Sequence, residues 1–291
     1  MTRKSHIDLI GAVALTLFSL NFGFNQVVIK VANEGFQPVF MAGLRSFGGL
    51  VLLALWMWAR GISMRLPAEG RVGGIIAGLL FAVEFICLFI ALDLISVART
   101  SILFYSMPVW LALGAHVFLP GERLTGVRVV GLGFAMGGVV LALLDRDAAQ
   151  GNLLGDLFAL GAALCWAGIA LCVRVTQLSR IPAEQQLLWQ LLISTPVLIL
   201  LAPYFGPLLR NLEVVHIIGL GYQIVFIASF GFLFWFFLMK IYPASGVASF
   251  SFLSPVFAVV LGWVILGEDI SATIWLALGL VAVGLVLINR Q

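Results

Sequence analysis

From Val97 to Leu119, and again from Val214 to Met239, the chain runs through apolar residues with no more than one or two ionisable side chains. Runs of this kind match the roughly 20 residues an α-helix needs to cross the hydrocarbon core of a bilayer. Others follow throughout, so that 62% of the sequence is hydrophobic and only 10% charged, where a soluble domain carries about 25% charged residues. A membrane β-barrel would alternate apolar and polar residues over segments of about 10, and no such alternation occurs. Inside lipid every backbone amide needs a partner within the chain, which leaves the helix as the spanning element. The sequence therefore predicts an all-α integral membrane protein.

Proline, glycine and charged clusters divide the chain into ten spans, at 8–29, 38–59, 72–94, 98–119, 127–144, 153–173, 185–205, 214–238, 246–266 and 272–288. An even number puts both termini on one side. Of the sixteen Lys and Arg residues, Lys30, Arg99, Arg146 and Arg210 fall on the opposite side and Arg45 within a span. The remainder lie on the side of the termini, and this excess predicts cytoplasmic N and C termini in a bacterial inner membrane. The first span follows the basic stretch MTRK as a leader peptide would, but it is copied later in the chain, so a retained helix is expected.

That copying organises the whole sequence. Leu9–Gly23 aligns with Leu153–Ala167, pairing Gly11 with Gly155 and Leu20 with Leu164; the same offset pairs Lys30 with Arg174 and Pro38 with Pro182. Further on, FYSMPVWLALGAHVFLPGE at 104–122 returns as FSFLSPVFAVVLGWVILGE at 250–268, pairing Pro108 with Pro255 and Gly121-Glu122 with Gly267-Glu268. Residues 1–147 and 148–291 thus read as two five-helix repeats. Since five is odd, the second enters the membrane inverted, the arrangement of alternating-access transporters with a site near the midplane.

With two such halves, each bearing a proline in its fourth helix followed by Gly-Glu, the sequence resembles the bacterial ten-helix branch of the drug/metabolite transporter superfamily, the EamA type. Within that branch it is most similar to the aromatic amino acid exporters. The resemblance covers the whole chain. It implies an exporter of metabolites or drugs, with a central cavity lined by the first, third, fourth, sixth, eighth and ninth helices and a scaffold made by the fifth and tenth.

The candidate site residues lie on those cavity helices. Asn21 and Asn25, four apart, share a face of the first span and suit either a substrate's polar groups or interhelical amide bonds. Phe81 and Phe85 share a face of the third, Phe104 and Tyr105 precede the proline of the fourth, and Trp166 occupies in the sixth span the place that Phe22 has in the first. Tyr222, Phe226 and Ser229 form an i, i+4, i+7 stripe in the eighth, and Ser249 and Ser251 precede Pro255 in the ninth. Together they would make an aromatic cavity with a few polar groups, suited to amphipathic small molecules. Any one of these aromatics alone is as well explained by packing.

Glu84 stands apart, because a carboxylate near the centre of a span is costly and is retained for a reason. A structural ion pair with Arg45, a substrate or proton role, and another hydrogen-bonded partner all remain open. Arg45 and Glu84 each lie about nine residues from the same membrane face, at ~14 Å depth by the helical rise, so a pair is sterically feasible. A proline inside a helix removes a backbone hydrogen bond, so Pro108 and Pro255 are expected to kink their helices and act as paired hinges. Glu122 and Glu268 sit at span ends just before Thr125 and Ser271, where an acidic residue favours the start of the next helix. Gly74xxxGly78 and Gly133xxxGly137 are small-residue spacings expected to mark tight helix packing. The all-aromatic run at 230–237 reads as lipid contact and interfacial anchoring.

Other chemistry finds little support. Cys87, Cys165 and Cys172 sit inside apolar runs without CxxC spacing, and His6, His116 and His216 form no HExxH pattern. No metal, cofactor or catalytic constellation is expected, and the absence of a GxxxxGK[ST] loop argues against ATP hydrolysis by this chain. A net charge of +3, spread over loops, gives no nucleic-acid patch. The expected partners are a small-molecule substrate and membrane lipid, with the protein working as a monomer or weak homodimer. The favoured reading is a secondary transporter exporting amino acids, aromatic or broadly neutral, or similar metabolites. The alternatives are a drug or other metabolite exporter of the same superfamily and, from another class, an intramembrane enzyme, which would need a nucleophile–base or metal site.

Overall fold

Each span begins where a local signal lets a helix start. The computed structural model describes residues 7–119, 124–145, 152–242, 250 and 252–289. Asp8 opens α1 (Leu9–Ala32) by accepting from the Gly11 amide at 2.8 Å, and Gln37 opens α2 (Pro38–Ala59) by accepting from Phe40. These side chains satisfy amides that the first helical turn leaves without partners. A short 3₁₀ turn leads into α3 (Arg71–Leu94), and Ser96 then caps α4 (Val97–Phe104). The chain continues through α5 (Met107–Phe118), α6 (Gly126–Leu144) capped by Thr125, and α7 (Leu153–Val175) capped by Asn152. After α8 (Ala183–Leu201) come α9 (Val214–Tyr222), a π-helical segment Gln223–Ser229, α10 (Phe230–Ile241), α11 (Leu253–Leu266) and α12 (Ala272–Asn289).

The described residues are helical, with no strand beyond a single antiparallel bridge between Phe36 and Leu209. Eight helical stretches are long and apolar enough to cross a membrane, and Leu253–Leu266 and Ala272–Ile288 supply two shorter apolar helices. In span order, α4 and α5 make the fourth, α9 to α10 the eighth, and α11 the described part of the ninth. Ser249 and Ser251, like Gly121 and Glu122, lie outside the described residues.

The helices pack in pairs that are preserved when the two halves are exchanged. The first span lies on the ninth and the sixth on the fourth, while the second faces the seventh and the fifth faces the tenth. At the fifth–tenth contact, a Cβ added to Gly138 would stand 2.5 Å from the Ala277 carbonyl oxygen, and one on Gly284 2.5 Å from the Ala135 amide. Gly133 and Gly137, expected to pack, instead face open space with nothing within 4 Å. The contact is made by Gly131 and Gly138, seven residues apart, on the neighbouring stripe of the same helix. Gly74 and Gly78 do pack, against Leu66 and Ile193.

The proline helices also differ from expectation. Neither Pro108 nor Pro255 bends a continuous helix. Pro108 is the second residue of α5, beyond a break at Tyr105–Ser106, and Pro255 is the third of α11. At these places the missing N–H is one the first turn could not have paired in any case. Among the described residues a proline does lie inside a helix at Pro196 in α8, one residue beyond Thr195, whose hydroxyl donates to the Leu191 carbonyl at 2.7 Å.

Candidate functional site

The break in the fourth span brings three aromatic rings together. Because α4 ends at Phe104, the Phe104 ring lies flat against Trp166 of α7 at 4.9 Å and 17°, while Tyr105 meets the same indole edge-on at 6.0 Å and 72°. Offset-stacked and edge-to-face geometries are the favourable ones for aromatic pairs. The Tyr105 phenol faces Ser254 of α11 and Gln26 of α1. Gln26 in turn accepts from the Ser101 hydroxyl at 3.4 Å. Aromatic faces and a polar edge thus meet where α1, α4, α7 and α11 converge. Next in sequence to Gln26 and Ser101, the Asn25 Oδ1 and Thr100 Oγ1 atoms are buried without hydrogen-bond partners.

Phe81 and Phe85 of α3 join the same buried cluster, edge-to-face at 4.6 Å. On the adjoining face of α3, Glu84 is buried close to Cys87 and to Cys165 of α7. Glu84 and Arg45 feel one another's charge, yet among the described residues no hydrogen bond or ion pair joins them. The Arg45 guanidinium lies instead over the Phe85 ring, 4.3 Å from its centroid, with Nη1 unpartnered. The ion pair considered from depth alone is therefore not made: equal depth does not bring two side chains to one azimuth.

Asn21, Tyr222 and Phe226 are placed elsewhere. The Tyr222 hydroxyl donates to Asn21 Oδ1 at 2.5 Å, and Asn21 Nδ2 donates to the Phe226 carbonyl at 3.1 Å. Asn21 and Phe226 line one end of an apolar lateral groove of about 580 Å³ between α1 and the eighth span. Of the i, i+4, i+7 stripe predicted for Tyr222, Phe226 and Ser229, the two rings do stack, 5.6 Å apart at 25°, but Ser229 turns away because the intervening segment is π-helical. Its i+5 bonding rotates each later residue relative to an α-helix. Ser229 closes onto the Ile224 carbonyl at 2.8 Å, and the Phe226 ring is 51% exposed toward the groove.

Residues that sequence reasoning passed over include Gln26, Ser101 and Ser254, whose only signal was polarity inside apolar spans. A further group lies on the far side, where α1 ends. Arg99, fully buried, donates Nε and Nη2 to the two Asp156 oxygens at 2.6 and 2.8 Å and Nη1 to the Asp145 carbonyl at 2.5 Å. Ser271 donates to Asp145 and caps Ile274. Arg210 makes a bidentate pair with Asp93, which holds the guanidinium above its usual pKa, and also reaches the Asn33 carbonyl. Glu268 does not serve its own following helix, as its position before Ser271 suggested; its carboxylate accepts from the Val97 and Ala98 amides of α4. Among the described residues no three His, Cys, Asp or Glu side chains come together as a metal site.

A buried aromatic cluster at the meeting of four apolar helices, in a chain of membrane-spanning length many times over, defines a polytopic helical membrane protein. A family profile, EamA-like transporter family, matches the chain twice, over residues 9–144 and 153–290, and the chain belongs to that family. It is 28% identical over 304 residues to a probable amino-acid metabolite efflux pump of Escherichia coli K12, covering 98% of this chain and 94% of that one. To the aromatic amino acid exporter YddG of Ancylobacter novellus it is 30% identical over 190 residues, 62% of each chain. A solved crystal structure superposes with a TM-score of 0.67 over 99% of this chain and 98% of its own, at 24% identity, and supports the fold.

Proposed function

We propose that this EamA-family transporter exports amino acids, aromatic or broadly neutral, or similar small amphipathic metabolites, by alternating access of its two five-helix halves. The observation that carries the reading is the Phe104–Tyr105–Trp166 cluster with its polar edge of Gln26, Ser101 and Ser254. An aromatic or aliphatic side chain stacks on the Phe104 and Trp166 faces, and an amino acid's ammonium finds acceptors in Asn25 Oδ1 and Thr100 Oγ1, both buried without partners. Phe81, Phe85 and Glu84 form the adjoining wall, and Pro108 and Pro255 open the helix segments that move. Asn21 and Phe226, with Tyr222 behind them, form a second, lateral approach from the lipid, while Ser229 supports the π-helical turn. Localisation to the bacterial inner membrane, and termini in the cytoplasm, agree with the distribution of Lys and Arg. Export as the direction of flux rests on the two named relatives.

The test is counterflow in proteoliposomes containing only this protein. Accumulation of radiolabelled phenylalanine, tyrosine, tryptophan or leucine against unlabelled internal amino acid supports the reading. No exchange with any of the twenty amino acids rejects the amino-acid assignment and turns the screen toward other amphipathic metabolites and drugs.

A further inference from the structure

The helix α4 is buried along its whole length: of Val97 to Phe104, none is more than 6% exposed. It lies on the far side of the aromatic cluster, between the two halves, and carries Ser101 and Phe104 at its inner end.

What holds α4 is unusual in coming from the other half of the chain. The first three amides of a helix have no partner within it. Ser96, the residue that caps α4 locally, accepts from only one of them, the Arg99 amide at 3.1 Å. The other two, of Val97 and Ala98, donate to Glu268 Oε1 and Oε2 at 2.6 and 3.1 Å, across 171 and 170 residues of sequence. The chain is shaped for this reach. Gly267 ends α11 in the left-handed region at φ 64°, turning the backbone so that the Glu268 amide returns to the Gly262 carbonyl at 3.2 Å. Gly262 leaves room for the carboxylate, since a Cβ there would stand 2.8 Å from Glu268 Oε2. Lys30, whose ammonium donates to the Leu92 and Ile95 carbonyls, faces Glu268 with the opposite charge.

We propose that Glu268 is a positioning residue of the transport cycle: its carboxylate latches α4 in place as the far-side plug, and opening on that side requires the latch to release. The proposal rests on the transporter reading above but on no particular substrate. A carboxylate accepting two backbone amides makes a strong, charge-assisted contact. It is also one that a small separation of α4 from α11 breaks completely, which suits a two-position element.

The test is sided chemical access in the full-length protein reconstituted in liposomes. Thr100→Cys places a reporter thiol on α4, where the native hydroxyl has no partner; the same protein without it corrects for the three native cysteines. Membrane-impermeant maleimide is added from one face at a time. Glu268→Gln is expected to raise the reporter's reaction rate from the far face about tenfold, as loss of one charge-assisted contact implies, with no rise from the near face. Gly262→Ala, which keeps the charge but displaces the carboxylate, should do the same, and Glu268→Asp should restore much of the slow rate. Unchanged far-face rates in both Glu268→Gln and Gly262→Ala overturn the latch, as does an equal rise from both faces, which means general loosening. If Glu268→Gln does not insert, the Gly262→Ala rates decide alone. No substrate enters this measurement, so a failed amino-acid screen and a failed latch are separate results.

Discussion

The fourth span is two different objects joined at Tyr105 and Ser106. Every residue of α4 is buried, and three of its polar groups, the Val97 and Ala98 amides and the Arg99 guanidinium, bind partners from the second half of the chain. In α5 only Val109 and Ala115 are buried. Its outer residues face outward, with Val117 72% and Phe118 67% exposed, and it touches α7 closely through Gly114, where a Cβ would stand 2.3 Å from Leu171. One span therefore contains a buried, tethered helix and a largely exposed one. Pro108 marks the border because it can start a helix but not continue one. The lesson is that an apolar run of spanning length is not a single mechanical unit.

The contrast can be broken most severely at Arg99. Arg99→Ala leaves Asp156 charged and buried without its partner, an error that costs about 3–5 kcal/mol in buried pairs. A marked fall in thermal stability of the detergent-solubilised protein is expected, together with loss of transport. Next in size is the inner end of α4, where Phe104→Ala or Trp166→Ala removes a stacked ring. Either should weaken substrate binding by about 1–2 kcal/mol, or roughly tenfold in apparent affinity, read by counterflow at graded concentrations with insertion unchanged. A smaller effect is expected at the border. Pro108→Ala restores a donor and favours a continuous α4–α5 helix; it should slow exchange several-fold without preventing insertion, and a wild-type rate would show that the break is held by packing instead. Smallest is α5 itself: Val117→Ala, on the exposed face, should change stability by about 0.5 kcal/mol or less and leave transport intact. If Val117→Ala proved as damaging as Arg99→Ala, the division into a tethered and an exposed helix would be lost.

The same comparison shows where the site was legible. Phe81, Phe85, Phe104, Tyr105 and Trp166 were singled out because aromatic residues at helical spacing on several spans point to a common interior, and the structure buries the first four in one cluster with Trp166 packed against it. Gln26 and Ser254 were missed, each a single polar residue whose purpose appears only when Tyr105 lies opposite. Asn21, Tyr222 and Phe226 were expected on the central cavity; the structure sets Asn21 and Phe226 on a lateral groove beside a π-helical turn, which leaves no hydropathy signature. The repeated Gly-Glu was visible as spelling. Its second copy turns out to be a left-handed helix end followed by a carboxylate aimed at another helix.

The sequence by itself determined the all-helical membrane class, the apolar stretches and the caps at Thr125 and Ser271. All of these depend on local periodicity, on the cost of unpaired amides in lipid, and on residues within a turn or two of one another. Only the tertiary structure decided that Arg45 rests on Phe85 rather than pairing with Glu84, that Gly131 and Gly138 pack while Gly133 and Gly137 do not, and that Glu268 reaches α4. Those outcomes depend on the rotation of each helix about its axis and on its register against helices far away in sequence. Depth in the membrane is written along a single span, whereas azimuth is set only when the spans pack together.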